Sequence, residues 1–190
     1  MAEKPPEKAA EKLTEVKTRP ETKNMKLMVA MDDSENSFYA LQWAIDHFSG
    51  LIPAEDTAEQ GILAVVHVQQ PFHHFSFPAG PGGAAAAVYI SSSTMEAVRK
   101  TQREMSAALF ARVLQMCRGK KINVKTAALE GDPKDMICQA IEEMHVQLLV
   151  VGSRGLGKIK RAFLGSVSDY CAHHAKCSVL IVKPPTDVAK

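Results

Sequence analysis

Between Lys26 and Val182, short and nearly unbroken apolar runs alternate with longer segments whose apolar residues recur at helical spacing. The runs Lys26 to Met31, Ile62 to Val68, Ile122 to Ala128, Val146 to Val151 and Ser178 to Val182 read as strands. Ser34 to Phe48 carries Phe38, Leu41, Ala44, Ile45 and Phe48 on one helical face. Met95 to Cys117 predicts a long amphipathic helix. Asp132-Pro133 opens the next helix, with an N-cap followed by proline at the first helical position. The last helix is expected from Ser166 to Ala175, with Ser166 as its N-cap.

Strands of continuous apolar character, joined by helices, imply a parallel sheet covered on both faces. Right-handed crossovers make a doubly wound α/β arrangement the expected topology. Such sheets take ligands outside the carboxyl ends of their strands, where the strand order reverses. If the first and fourth strands are central neighbours, Asp32 and Gly152 stand at that point. A carboxylate at Asp32 suits the hydroxyls of a ribose, whereas Asp33 reads as a solvent-facing turn residue.

After the fourth run comes Gly152-Ser153-Arg154-Gly155, then nine residues, then Gly165-Ser166-Val167-Ser168. Glycines let backbone N–H groups approach an anion, and a helix start adds unpaired donors and a favourable dipole. The pattern reads as a phosphate site. A glycine-rich turn without a ligand uses the same residues. Gly152 to Lys158 matches the opening of a Walker A loop, but Ile159 stands where a Ser or Thr must reach magnesium. The dinucleotide fingerprint fails as well, because Lys160 replaces its third glycine. Arg154 and Lys158 are near enough in sequence to meet phosphate charge, or to stay in solvent.

Composition narrows the classes. The 190 residues are 46% hydrophobic, enough for a core, and carry a formal net charge of +2. That charge argues against a general nucleic-acid binder, and no apolar run is long enough to span a bilayer. Residues 1–24 hold five glutamates and a single large aliphatic, Leu13; they read as a disordered charged tail and not as a transit peptide. The expected domain runs over 25–184, with a short tail at 185–190. Cys117, Cys138, Cys171 and Cys177 lack zinc-ribbon spacing, and no signal peptide precedes them, so they read as reduced cytosolic thiols. In Cys171-x-His173-His174-x-x-Cys177, His173 is turned about 100° from its neighbour on the helix, so no metal site is expected. The long segment from Gln69 to Ser93, with His73 and His74, reads as a mobile insertion or a lid over the pocket.

Val29-Ala30-Met31-Asp32-Asp33-Ser34, Val66-His67-Val68 and the Gly152, Gly155, Gly165-Ser166 spacing together resemble the universal stress protein family, and the long form from Gly152-Ser153-Arg154-Gly155-Leu156-Gly157 to Cys171-Ala172-His173-His174 resembles its plant branch closely. The resemblance covers about Lys26 to Lys183. It implies a five-stranded parallel, Rossmann-like sheet of order 3-2-1-4-5 and membership of the ATP-binding type. By matching positions it implies that Asp32 holds the ribose, that Ala30 and Met31 line the nucleoside pocket, and that the backbone of Val68 reads the adenine edge. Val151, Gly152 and Ser153 would pass beside the ribose. Gly155, Gly165, Ser166, Val167 and Ser168 would cradle the phosphates. The cofactor expected is ATP, or AMP or ADP, with Mg2+ carried on the phosphates.

Two functional classes follow: a nucleotide-dependent regulatory module of the stress response, or a slow ATPase or phosphotransferase using the same pocket. No general base stands out near the loop, which favours the module, with at most weak ATP hydrolysis. The expected setting is cytoplasmic, with the nucleus as an alternative. Val179-Leu180-Ile181-Val182, followed by Lys183-Pro184-Pro185, reads as an edge strand through which two copies pair. The same resemblance points to a homodimer. No nucleic-acid or membrane partner is expected, and no downstream protein partner is legible.

Overall fold

The structure is a computed structural model that describes residues 25–52, 62–71, 92–120, 122–155 and 164–185. The strands are β1 (Lys26–Met31), β2 (Ile62–Gln69), β3 (Val124–Glu130), β4 (Leu148–Gly152) and β5 (Ser178–Val182). The helices are α1 (Glu35–Phe48), α2 (Ser92–Arg118), α3 (Pro133–Met144) and α4 (Ser166–His174). The strands form one sheet in the order β3-β2-β1-β4-β5, and every neighbouring pair is parallel. This is the doubly wound α/β sheet expected from the alternation of runs.

Alternate side chains of the central strands feed two separate cores, as the period of two in a strand requires. Leu27, Val29, Leu63 and Val65 pack with Phe38, Leu41 and Ile45 of α1 and with Leu109 and Val113 of α2. Met28, Ala30, Ala64 and Val66 pack with Ile137 and Ile141 of α3 and Cys171 of α4. Met28, Val29, Leu149 and Val150 are wholly buried. Burying aliphatic side chains of this size is worth about 1.5–3 kcal/mol each, so the central pair β1 and β4 forms a firm base for whatever leaves its carboxyl ends.

Several boundaries move from their expected positions, each for a local reason. Its apolar character puts Val146 into the fourth run, yet in the structure it closes α3. His145 takes the left-handed conformation (φ 53°), and the Val146 N–H donates to the Ile141 carbonyl at 2.9 Å. That is a Schellman-type closure, whose following residue is apolar for contact with the helix. Val146 is therefore buried but outside the ladder. Ile122 is likewise buried just before β3 begins. Asp132 caps α3 as read, its side chain accepting from Lys134 N at 2.9 Å, with Pro133 behind it.

Residues 1–24 and 186–190, most of the Gln69 to Ser93 segment, and Lys158, Ile159 and Lys160 lie outside the described residues. Among the described residues, no helix is long and apolar enough to cross a membrane.

Candidate functional site

The strand order reverses between β1 and β4, the place where doubly wound sheets take ligands outside the carboxyl ends of their strands. Ala30 pairs in register with Val151 on one side and Val66 on the other. Met31 pairs with His67, which puts Val68 at the level of Asp32 on the neighbouring strand. Ala30 and Val151 are buried in the core under α3 and α4, and Val68 is half-buried against it. The Met31 side chain belongs to the opposite core. Its carbonyl accepts a hydrogen bond from His67 Nδ1 at 2.9 Å, which ties the ends of β1 and β2 together.

Asp32 is half-buried at the exit of β1, and Asp33 beyond it is exposed. Oδ1 of Asp32 accepts from the Ser34 N–H at 3.2 Å and from Ser34 Oγ at 2.5 Å. The first bond is an Asx-turn, in which a carboxylate folds back on the backbone two residues on. Ser34 is also the N-cap of α1, its Oγ accepting from Ser37 N at 3.3 Å. Ser37 Oγ donates to the Asp32 carbonyl at 2.5 Å and reaches the Ser34 carbonyl at 2.9 Å. Both serines are buried. Their hold on Asp32 is absent from the expectations above, although Asp-x-Ser before a helix is a recognisable turn signal.

The glycine loop meets this carboxylate. A Cβ built on Gly155 would overlap Asp32 Oδ2, so a larger residue there must move either the loop or the acid. Gly152 has a different task. A Cβ there would stand 3.0 Å from the backbone C and O of Asn36, so Gly152 admits the first turn of α1 against β4.

Ser153 is buried and knits the loop to its surroundings. Its N–H donates to the Val182 carbonyl at 2.8 Å, and its carbonyl accepts from Gly165 N at 2.8 Å. Ser168 Oγ donates to the Gly165 carbonyl at 2.9 Å and lies 3.4 Å from the Ser153 carbonyl. Residues on both sides of the intervening segment are thereby held together.

The N-cap of α4 is Gly165, not Ser166 as the sequence suggested. Gly165 has extended backbone (φ −67°, ψ 150°), and its carbonyl accepts the first helical bond, from Asp169 N at 2.9 Å. Ser166 is already helical. Serine's intrinsic preference for the cap yields here to the bond that fixes Gly165 on Ser153. The N–H groups of Ser166, Val167 and Ser168 occupy the first turn, where a helix supplies no internal acceptors. Ser166 is exposed, Val167 half-buried and Ser168 buried. The site thus combines an oriented carboxylate, a glycine passage and a helix start, which suits a ligand with hydroxyls at one end and an anion at the other.

The cysteine and histidine run near the end of α4 is spread apart. Cys171 is fully buried, whereas His173 and His174 are exposed, their Nδ1 atoms 2.8 and 2.9 Å from the Asp169 and Tyr170 carbonyls. Among the described residues, no three His, Cys, Asp or Glu side chains gather as metal ligands. Burial pushes the Cys171 thiol up to about 12 and the Cys117 thiol up to about 11.

Comparison with known proteins gives a consistent result. The model of the universal stress protein family matches residues 23–183. A universal stress protein A-like protein of Arabidopsis thaliana is 33% identical over 100 residues, covering 53% of this chain, and the match spans 57% of that relative's length. A solved universal stress protein family member from Arabidopsis thaliana, with AMP bound, superposes with a TM-score of 0.56 at 23% identity, covering 86% of this chain and 94% of that one. A universal stress protein in complex with cAMP superposes with a TM-score of 0.55 at 20% identity, covering 84% of this chain and 97% of that one. At these identities the two structures speak for the fold, and the family match spans most of the chain. The chain belongs to the universal stress protein family.

Proposed function

We propose that this protein binds an adenine nucleotide in the crevice between β1 and β4 and works as a nucleotide-dependent regulatory module of the stress response. One observation carries the reading: the Asp32 carboxylate lies against Gly155, in the loop whose Ser153 carbonyl also holds the cap of α4. That contact supports a ribose acceptor and a phosphate cradle at one site. In this reading Asp32 accepts from the ribose hydroxyls. Ala30, Met31 and Val68 border the nucleoside. Val151, Gly152 and Ser153 flank the ribose, and Gly155 leaves room for backbone approach. Gly165 and the N–H groups of Ser166, Val167 and Ser168 receive the phosphates. The AMP and cAMP held by two structures of the same fold support the ligand class.

The residues fit binding better than turnover. Ser168 Oγ is directed to the Gly165 carbonyl, and in this reading Asp32 is occupied with the ribose hydroxyls, at the opposite end of the ligand from the phosphates. Neither is arranged to activate a water. Magnesium, if carried, rides on the phosphates, since it keeps several waters and needs few protein ligands. The reading is tested by mass spectrometry of small molecules released on denaturation, followed by calorimetric titration with ATP, ADP and AMP. Saturable binding of at least one of them is expected. Single-turnover incubation with ATP then separates a binding module, which leaves the nucleotide intact, from a slow ATPase.

A further inference from the structure

We infer that Ser34 is a positioning residue for nucleotide recognition: its hydroxyl and N–H aim the Asp32 carboxylate at the crevice. The inference rests on the nucleotide reading above and deepens it by naming the residue that sets discrimination for the ribose hydroxyls. Two donors from Ser34 converge on one oxygen, Oδ1, at 3.2 Å from N and 2.5 Å from Oγ. Both carboxylate torsions are thereby set, and Oδ2 is turned to the side where Gly155 passes. The backbone of Asp32 is fixed separately, because Ser37 Oγ donates to its carbonyl at 2.5 Å. These donors come from the cap and the first turn of α1, and both serines are buried.

A carboxylate on a single rotatable side chain ordinarily samples several orientations, and only some of them meet a ribose. Charge-assisted bonds to a fixed group hold one of these, and pre-organisation of this kind raises affinity without a new ligand contact. The burial of Ser34 has a second consequence. Its Oγ both donates to Asp32 and accepts from Ser37 N, so a single hydroxyl couples the start of α1 to the orientation of the acid. Ser34 touches no nucleotide in this scheme and acts only through Asp32.

The cap and the positioning role can be separated by substitution. Glycine serves nearly as well as serine at an N-cap but has no hydroxyl, whereas threonine keeps both functions. The experiment compares the full chain with Ser34→Gly and Ser34→Thr. It measures calorimetric affinities for ATP and for 2′,3′-dideoxy-ATP, with thermal melting by circular dichroism as the control for folding. The unsubstituted protein should prefer ATP over the dideoxy nucleotide by about tenfold or more, the scale of a hydrogen bond to a charged acceptor. Ser34→Gly should keep a cooperative melt and its affinity for dideoxy-ATP, yet lose most of the preference for ATP. Ser34→Thr should retain the preference. Equal losses for both nucleotides in Ser34→Gly would mark Ser34 as structural only and overturn the inference. So would an unchanged preference. An unsubstituted protein that binds neither nucleotide would instead overturn the nucleotide reading itself, and one that binds both equally would remove Asp32 from ribose recognition.

Discussion

Gly155 and Asp32 touch so closely that a single methyl group on the glycine would overlap the carboxylate oxygen Oδ2. One residue leaves β4 and the other leaves β1, so the contact bridges the crevice at its switch point. A side chain at Gly155 must displace either the loop or the acid. Because Gly155 itself is exposed, the disturbance falls on the site and spares the core. Gly155→Val is expected to weaken ATP by about tenfold or more, equivalent to about 1.4 kcal/mol, with little change in melting temperature. Calorimetry of the variant checks this, and an unaltered affinity would remove the loop from the binding site.

Removing the acid should act on the sugar end of the ligand. Asp32→Ala is expected to cost about 1.5–3 kcal/mol of ATP binding, the range for hydrogen bonds to a charged group. The loss should be much smaller for 2′,3′-dideoxy-ATP, which lacks the two hydroxyls. Titration of both nucleotides against the variant supplies the comparison. A parallel drop for the two would show Asp32 acting only through its bond to Ser34 at the start of α1.

The buried thiols make stability fall at alkaline pH. Cys171 is raised to about 12 and Cys117 to about 11, in both cases chiefly because burial disfavours the thiolate. Between the ordinary thiol value near 8.5 and these folded values, the unfolded chain has lost a proton that the native state keeps. The native state therefore binds more protons there, and stability drops as pH rises, by at most about 1.4 kcal/mol per pH unit for each thiol. Below about pH 8 the contribution is fully present. Urea titrations at pH 7.5 and 10 should show the decline, and Cys171→Ala should reduce the slope. At neutral pH, iodoacetamide should label Cys138 and Cys177, which are half-buried, before Cys117 and Cys171. Peptide mass spectrometry reads that order directly.

The strand β5 lies at one edge of the sheet, as the sequence suggested. Val179, Leu180 and Ile181 are half-buried, and Val182 is buried with its carbonyl on Ser153 N. A two-fold pairing of β5 with its own copy would satisfy the edge and cover those side chains. Light scattering at micromolar concentration is expected to return the mass of a dimer. Leu180→Lys should shift it toward the monomer while circular dichroism stays native. Val182 is a poor place for this test, because a charge there would disturb the loop that it anchors. A monomer mass for the unsubstituted chain would reject the pairing, and a dimer persisting in a folded Leu180→Lys would move the interface elsewhere.

Much of the fold was legible because the signals were local. Runs such as Lys26 to Met31 admit few structures other than buried strands, and Phe38, Leu41 and Ile45 recur at a spacing that only a helix brings to one face. Asp132-Pro133 marked a helix start through cap chemistry contained within a few residues. The misread boundaries lie where an apolar residue serves something other than a strand. Val146 is apolar because it closes α3 and packs beneath it, a use that hydrophobicity alone does not distinguish from a strand position.

By itself the sequence determined the alternation of strands and helices, the presence of Asp32 at one strand end, and the glycines at another. Tertiary structure decided what those residues touch. That Gly155 lies on Asp32, that Gly152 admits the backbone of Asn36, and that Gly165 rather than Ser166 caps α4 all depend on contacts between segments far apart in the chain. Local propensity is a weak preference of a few tenths to about one kcal/mol, and it yields to a backbone bond such as Gly165 N to the Ser153 carbonyl. Chain order carries the preference, but only the closed sheet brings that bond's two partners within reach.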